Sequence, residues 1–155
     1  MKEFRYDSNE AYEKAIANLE KEINDKYLAG KSYEERLPLF REKEELEGEY
    51  GAFKRLNVKV GDGVTYVAGY YGLGGDEYPA TVIKRTTKTI TIRHCKSRGD
   101  VEHGHDYYGN QKWIIEEDEN GAVETCHWHP AKGCFVTSGG CIVVNGRRRY
   151  ENPSF

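Results

Sequence analysis

The residues of this chain with the most evident chemical potential lie in its second half. His94, Cys95, His103, His105, Cys126, His127, His129, Cys134 and Cys141 all fall there, and thiolate and imidazole are ligands that zinc favours. Cys126-His127-Trp128-His129 is the densest stretch. Common zinc modules space paired cysteines two to four residues apart, and no two cysteines here have that gap. A strand over 123–128 would turn Cys126 and Trp128 to one face and His127 and His129 to the other. The two histidines would then need two more ligands, such as His103 and His105. The plainer reading is small buried thiols and exposed loop histidines, so no metal is assigned and zinc binding stands only as an alternative function. A nucleophilic Cys–His pair would need an oriented base and an oxyanion donor. The chain has neither a nucleophile elbow nor a family-specific cysteine signature. No catalytic residue and no cofactor are assigned, and the protein is expected not to be an enzyme.

Three other constellations bear on binding. Gly72-Leu73-Gly74-Gly75 lacks the Gly-Lys-Ser/Thr ending of a phosphate loop and is followed by Asp76 and Glu77, which would repel phosphate. Arg147-Arg148-Arg149-Tyr150 pairs guanidinium forks with an aromatic ring, a combination suited to nucleic acid. Lys84, Arg85, Lys88 and Arg93 could extend that patch. Successive arginines on a strand point to opposite faces, however, so they read equally well as internal partners of Glu116, Glu117 and Asp118. Tyr66, Tyr70, Tyr71, Tyr78, Tyr107 and Tyr108 cluster in or beside two loops. Such a group can cage a methylated lysine or anchor a protein interface, and the interface reading is the broader of the two.

The elements that must position these residues are legible in the periodicity. Residues 8–29 form an amphipathic helix, with Tyr12, Ala15, Ile16, Leu19, Ile23 and Tyr27 on one face. Asp7 and Glu10 are spaced as a capping box, and Gly30 is placed to end the helix. Ser32 and Glu35 make a second capping box for a helix running to about Tyr50, which Pro38 should interrupt or kink. Its apolar stripe is Leu37, Phe40, Leu46 and Tyr50. The two helices predict an antiparallel hairpin.

Near residue 56 the period changes to two. Val58, Val60, Val64, Tyr66 and Ala68 alternate with polar residues, with a turn signal at Gly61-Asp62-Gly63. Residues 81–85 and 88–93 should form a tight hairpin about Thr86-Thr87. Further strands are expected at 112–115, 123–128, 134–136 and 141–144, with Asn120-Gly121 as the hairpin turn between 115 and 123. Residues 70–79 and 95–110 read as loops, the usual place for binding residues on a rigid β scaffold. The fold class is therefore α+β: an acidic helical hairpin over 1–54, followed over 55–155 by a small, strongly bent antiparallel sheet or SH3-like barrel.

Composition agrees with two such parts. Apolar residues are 37% and charged residues 32%, so twelve Tyr, five Phe and two Trp must supply much of the buried area. Residues 1–54 carry 14 acidic and 10 basic side chains, and residues 55–155 carry 12 and 13. The charge is thus concentrated in the first part, which argues against simple nucleic-acid binding there. The amino terminus does not read as a signal peptide, and no apolar run reaches the roughly 18 residues of a membrane span. A cytoplasmic protein with reduced cysteines and no membrane partner is expected.

The second half also carries an ordered set of motifs: Gly61-Asp62-Gly63-Val64, Tyr78-Pro79-Ala80-Thr81-Val82-Ile83, Lys88-Thr89-Ile90-Thr91-Ile92, Tyr108-Gly109-Asn110-Gln111, Asn120-Gly121 and the ending Gly146-Arg147-Arg148-Arg149-Tyr150-Glu151-Asn152-Pro153-Ser154-Phe155. Together they resemble a family of small proteins of uncharacterised activity encoded by bacteriophages and other mobile elements. The resemblance implies a bacterial host cytosol and no particular reaction. It makes an inhibitor of a host defence system, of the anti-CRISPR kind, the leading expectation, because such proteins are small and act by binding a nuclease complex. An acidic surface can occupy a basic nucleic-acid channel. The candidate partner-binding residues are Glu42, Glu44, Glu45 and Glu47 on the hairpin and Tyr70, Tyr71 and Tyr78 beside the β-domain. A homodimer is a further option, since the apolar stripe of the hairpin must be covered by something. The alternative is a nucleic-acid-binding accessory protein using Arg147, Arg148, Arg149 and Tyr150.

Overall fold

A computed structural model describes residues 4–69 and 75–152. The chain divides into two compact units, Met1–Lys54 and Arg55–Phe155, each with its own core.

The first unit is a helical hairpin. Helix α1 spans Asn9–Leu28 and helix α2 begins at Tyr33 and runs to Leu56. The cap of α1 is Ser8 rather than Asp7: the Ser8 hydroxyl accepts the Ala11 N–H at 3.2 Å. A serine hydroxyl fills this position as well as a carboxylate does, and an Asp7/Glu10 spacing could not distinguish neighbouring frames. At the other end Gly30 adopts φ +78°, and Gly30 N–H and Lys31 N–H return to the carbonyls of Tyr27 and Lys26. That is a Schellman ending, which needs the left-handed conformation glycine allows. Ser32 and Glu35 form both halves of their capping box. Pro38 does not break α2. The helix runs on through it, although Pro38 lacks the N–H that would reach the Glu34 carbonyl and its ring crowds that oxygen.

Buried Tyr12, Leu19 and Leu46, with Ala15, Ile16, Leu39, Tyr50 and Phe53 around them, form the hairpin core. Tyr12 stacks on Tyr50 at 5.2 Å, and its hydroxyl donates to Glu49 at 2.8 Å. Burial, then the Glu49 contact, push the Tyr12 phenol up to about 12.

The second unit is a closed antiparallel barrel of six strands. In chain order the strands are β1 (Gly63–Ala68), β2 (Asp76–Arg85), β3 (Thr89–His94), β4 (Lys96–Gly99), β5 (Trp113–Glu116), β6 (Val123–His129), β7 (Cys134–Val136) and β8 (Ile142–Asn145). The barrel order is β1-β2-β3-β6-β7-β8, closed by β8 on β1 with Thr65 opposite Val144. Strands β4 and β5 pair only with each other.

Inward-facing positions follow the period of two. Val64, Ala80, Val82, Ile90, Ile92, Cys126, Phe135 and Val143 fill the barrel, together with Val58 from the segment before β1. On the same inward parity, β1, β2, β3 and β6 present Tyr66, Tyr78, His94 and Glu124 beyond that apolar layer, as the cross-strand pairs Tyr66–Tyr78, Ala80–His94 and Ile92–Glu124 require. The barrel is therefore apolar through its middle and polar-aromatic at one end.

Four local expectations are corrected. Val58 and Val60 precede the first strand, because the Gly61-Asp62 turn is held against Val82 by two backbone bonds and β1 starts at Gly63. Residues 76–79 are strand, not loop. Pro79 is accommodated because its carbonyl, which receives Cys95 N–H at 3.0 Å, lies past the end of β3, so only one ladder bond is lost. Residues 96–99 also form a strand, although Lys-Ser-Arg-Gly has no apolar alternation. Its partner β5 supplies the apolar side chains. Finally, Asn120-Gly121 is a turn, with Gly121 N–H on the Asp118 carbonyl, yet it joins no hairpin: β5 pairs with β4 and β6 with β3. Turn chemistry states where a chain reverses and not which strands then pair.

Candidate functional site

The three arginines after β8 do not make a patch. Arg147 Nη2 donates to the Thr81 hydroxyl at 2.7 Å and to Glu117, which Arg93 also reaches at 3.5 Å. The Thr81 hydroxyl first, then Arg147 and Arg93, hold the Glu117 carboxyl below the usual carboxylate range. Arg148 turns to Glu77 at 3.3 Å, while its N–H donates to the Thr65 hydroxyl. The Arg149 guanidinium lies 4.6 Å from the Tyr78 ring centre and 4.8 Å from that of Trp113, donates to the carbonyls of Glu77 and Tyr150, and is only 12% exposed. Tyr150 exchanges both backbone bonds with Glu77, and Glu151 and Asn152 are tied to Gln111 and Asp76. Residues 147–152 are thus a strap across β2, β5 and the turn before β6. The geometry spends each arginine on a different internal carboxylate or ring.

The tyrosines separate into three groups. Tyr66 and Tyr78 stack at 5.1 Å at the polar end of the barrel, and Tyr66 also stacks on His94 at 4.7 Å. His94 Nε2 meets Glu124 at 2.7 Å. Burial, with Tyr78 and Glu124 adding to it, pushes the Tyr66 phenol up to about 12. The column continues outward: Tyr78, Arg149, Trp113, then His105 edge-on to Trp113 at 4.6 Å. The cation slot between Tyr78 and Trp113 is therefore filled by the chain's own Arg149. Tyr70 and Tyr71 lie outside the described residues. Tyr107 and Tyr108 stand in solvent, 96% and 91% exposed, beside a cleft of about 830 Å3.

The acidic candidates on α2 are all exposed but do not share one face. Glu42 and Glu45 flank buried Leu46 on one side, and Glu44 and Glu47 lie toward the other, as a 100° step requires. Glu45 pairs with Arg5 and Glu47 with Lys43. More conspicuous on the hairpin is its turn end, which periodicity assigned in part to the core. Tyr27, Leu28 and Tyr33 are 61%, 73% and 57% exposed. Tyr33 packs at 5.7 Å on Phe40, and the Arg36 guanidinium lies over both Tyr27 and Phe40, beside a hollow of about 290 Å3. Tyr27 continues the stripe by spacing, but the hairpin narrows to its turn there and leaves Tyr27 61% exposed.

The cysteines are free thiols. Cys126 and Cys134 are buried, and burial pushes the Cys126 thiol up to about 12 and raises Cys134 also. Such thiols are poor nucleophiles near neutrality. His127 and His129 sit on the outer face of β6, away from Cys126. His103 bonds Asp100 at 2.7 Å. Among the described residues, no three His, Cys, Asp or Glu side chains are grouped to hold a metal ion. Also among the described residues, no helix is long and apolar enough to cross a membrane.

Sequence reasoning did not single out Trp113, Arg36 or Asp106, and gave Asp76 and Glu151 no binding role. Their relevance comes from partners distant in sequence. No protein-family model, curated protein or solved structure matches the chain.

Proposed function

We propose that this chain is a non-enzymatic binding protein that acts by protein–protein contact, and that its partner is a bacterial defence component, a nuclease complex with a basic nucleic-acid channel being the leading candidate. The observation that carries the binding reading is the exposed turn end of the hairpin, where Tyr27 and Tyr33 pack against Arg36 and Phe40 and Leu28 is also bare. Tyrosine and arginine are the residue types in which interface energy concentrates, and large apolar groups left in solvent mark contact surfaces. The acidic flanks, including exposed Glu42 and Glu44, would steer this surface toward a positive one. The resemblance of the second half to mobile-element proteins supports a phage origin and hence a host defence target. The barrel would serve as an SH3-like scaffold, a fold-level analogy that adds no chemistry.

Full-length tagged protein should capture a defence nuclease or one of its subunits from a lysate of a bacterium equipped with such systems, and should inhibit cleavage by the captured complex. A Tyr27→Ala/Tyr33→Ala variant should lose both. Capture unaffected by that variant, or no enrichment of a defence component, would reject the proposal. The nucleic-acid alternative draws less support, because the three guanidiniums it requires are engaged internally.

A further inference from the structure

The cleft lined by Tyr107 and Tyr108 is built wholly from the second unit and has its own chemistry. Its lining includes Asp76, Asp106 and Glu151, and no lysine or arginine among the described residues. Asp76 accepts from Tyr78 OH and Asn152 N–H, and Asp106 accepts from Tyr108 N–H, Asn110 N–H and the Asn110 amide. These donors are all neutral, so they orient the carboxylates without cancelling their charge. The Asn110 contacts hold the Asp106 carboxyl below its ordinary range, which keeps it ionised. Tyr107 and Tyr108 meet edge to face at 5.8 Å and are almost wholly in solvent. Two adjacent tyrosines left this bare gain nothing for the fold.

The neighbouring slot shows what such groups hold. There a guanidinium lies between Tyr78 and Trp113 with Glu151 at 4.0 Å. Glu151 borders both the slot and the cleft. We infer that the cleft is a second docking site, whose occupant is an arginine-bearing basic segment of a partner protein, with guanidinium stacked on Tyr107 or Tyr108 and paired to the cleft carboxylates. Arginine suits it better than lysine because its planar fork can stack and bond a carboxylate at once.

The test uses the full-length protein and two ten-residue peptides, one with four arginines and one with glutamine at those places. The arginine peptide should bind, more weakly as salt rises, and the glutamine peptide should not. Tyr107→Ala/Tyr108→Ala should weaken binding at least tenfold and Glu151→Gln at least threefold, while Glu10→Gln/Glu22→Gln, exposed on α1, stays within twofold. The tyrosine variant buries nothing less than the parent, so its thermal midpoint should be unchanged and loss of binding cannot be loss of fold. Absence of binding overturns the inference, as does binding that follows the hairpin charges and ignores the cleft variants. Sedimentation supplies a further arm: a dimer that Tyr107→Ala/Tyr108→Ala dissolves would put a second copy in the cleft and overturn the basic segment as occupant. Because neither variant set touches Tyr27 or Tyr33, failure here leaves the hairpin reading standing.

Discussion

Arg149 differs from its two neighbours in what its removal would expose. Arg147 and Arg148 hold partners near solvent, where ion pairs contribute little. Arg149 covers two aromatic faces and is itself largely covered. Arg149→Ala should lower stability by about 1–3 kcal/mol through lost stacking and exposed ring surface, whereas Arg148→Ala should stay within about 0.5 kcal/mol. Denaturant unfolding followed by tryptophan fluorescence measures both, since Trp113 is one wall of the slot. Equal effects for the two variants would show that the stacking does not matter. Cysteine behaviour is a second residue-scale test. In the folded protein Cys126 and Cys134 should resist a thiol reagent at pH 7.5 and become reactive on unfolding. The alternation along β6 made the orientation of Cys126 legible in advance. The Arg149 slot was not, because Tyr78, Trp113 and Arg149 lie far apart in the chain.

Among the elements, the helices were the more readable. Cap, Schellman ending and capping box are set by residues within five positions of one another. Ser32→Ala should therefore cost about 1 kcal/mol, read as a lower urea midpoint with unchanged slope. The strands were readable as strands but not as pairs. Lys96-Ser97-Arg98-Gly99 shows how a polar sequence becomes a strand when a partner such as Trp113-Ile114-Ile115 lies alongside it. Gly121 shows a similar dependence on tertiary contact. A Cβ there would meet the His94 carbonyl oxygen at 2.0 Å, a backbone atom that cannot swing aside. Gly121→Ala should cost about 1–3 kcal/mol by forcing the turn away from β3. A midpoint equal to the parent's would mean that the turn does not sit against β3 as described. The turn was visible in Asn120-Gly121, but the reason it must be glycine was not.

At the scale of the whole molecule, both cores bury groups in their neutral form. Tyr12 in the hairpin and Tyr66 and Cys126 in the barrel are each pushed up to about 12, from ordinary values of 10.0 for the phenols and 9.0 for the thiol. A group whose folded pKa is raised adds stability that is complete below its unfolded pKa and is lost as pH climbs toward the folded one. Stability should thus hold up to about pH 9 and decline between about 9 and 12. Denaturation midpoints across pH 7–11 check this, and absorbance at 295 nm should show Tyr12 and Tyr66 among the late-ionising phenols, with Tyr50 and Tyr78 also raised. A flat profile to pH 11 would contradict neutral burial.

By itself, the sequence determined an acidic helical hairpin with its Gly30 ending and its Ser32–Glu35 capping box, a β-rich second half, and which residues of β6 share a face. Each of these depends on backbone preference and side-chain period within one element. Only the tertiary structure decided that the sheet closes by pairing Thr65 with Val144, that β4 and β5 stand apart, that the arginines become a strap, and that Tyr107 and Tyr108 border an acidic cleft. These depend on contacts between segments tens of residues apart, and local periodicity carries no information about which distant surfaces will meet.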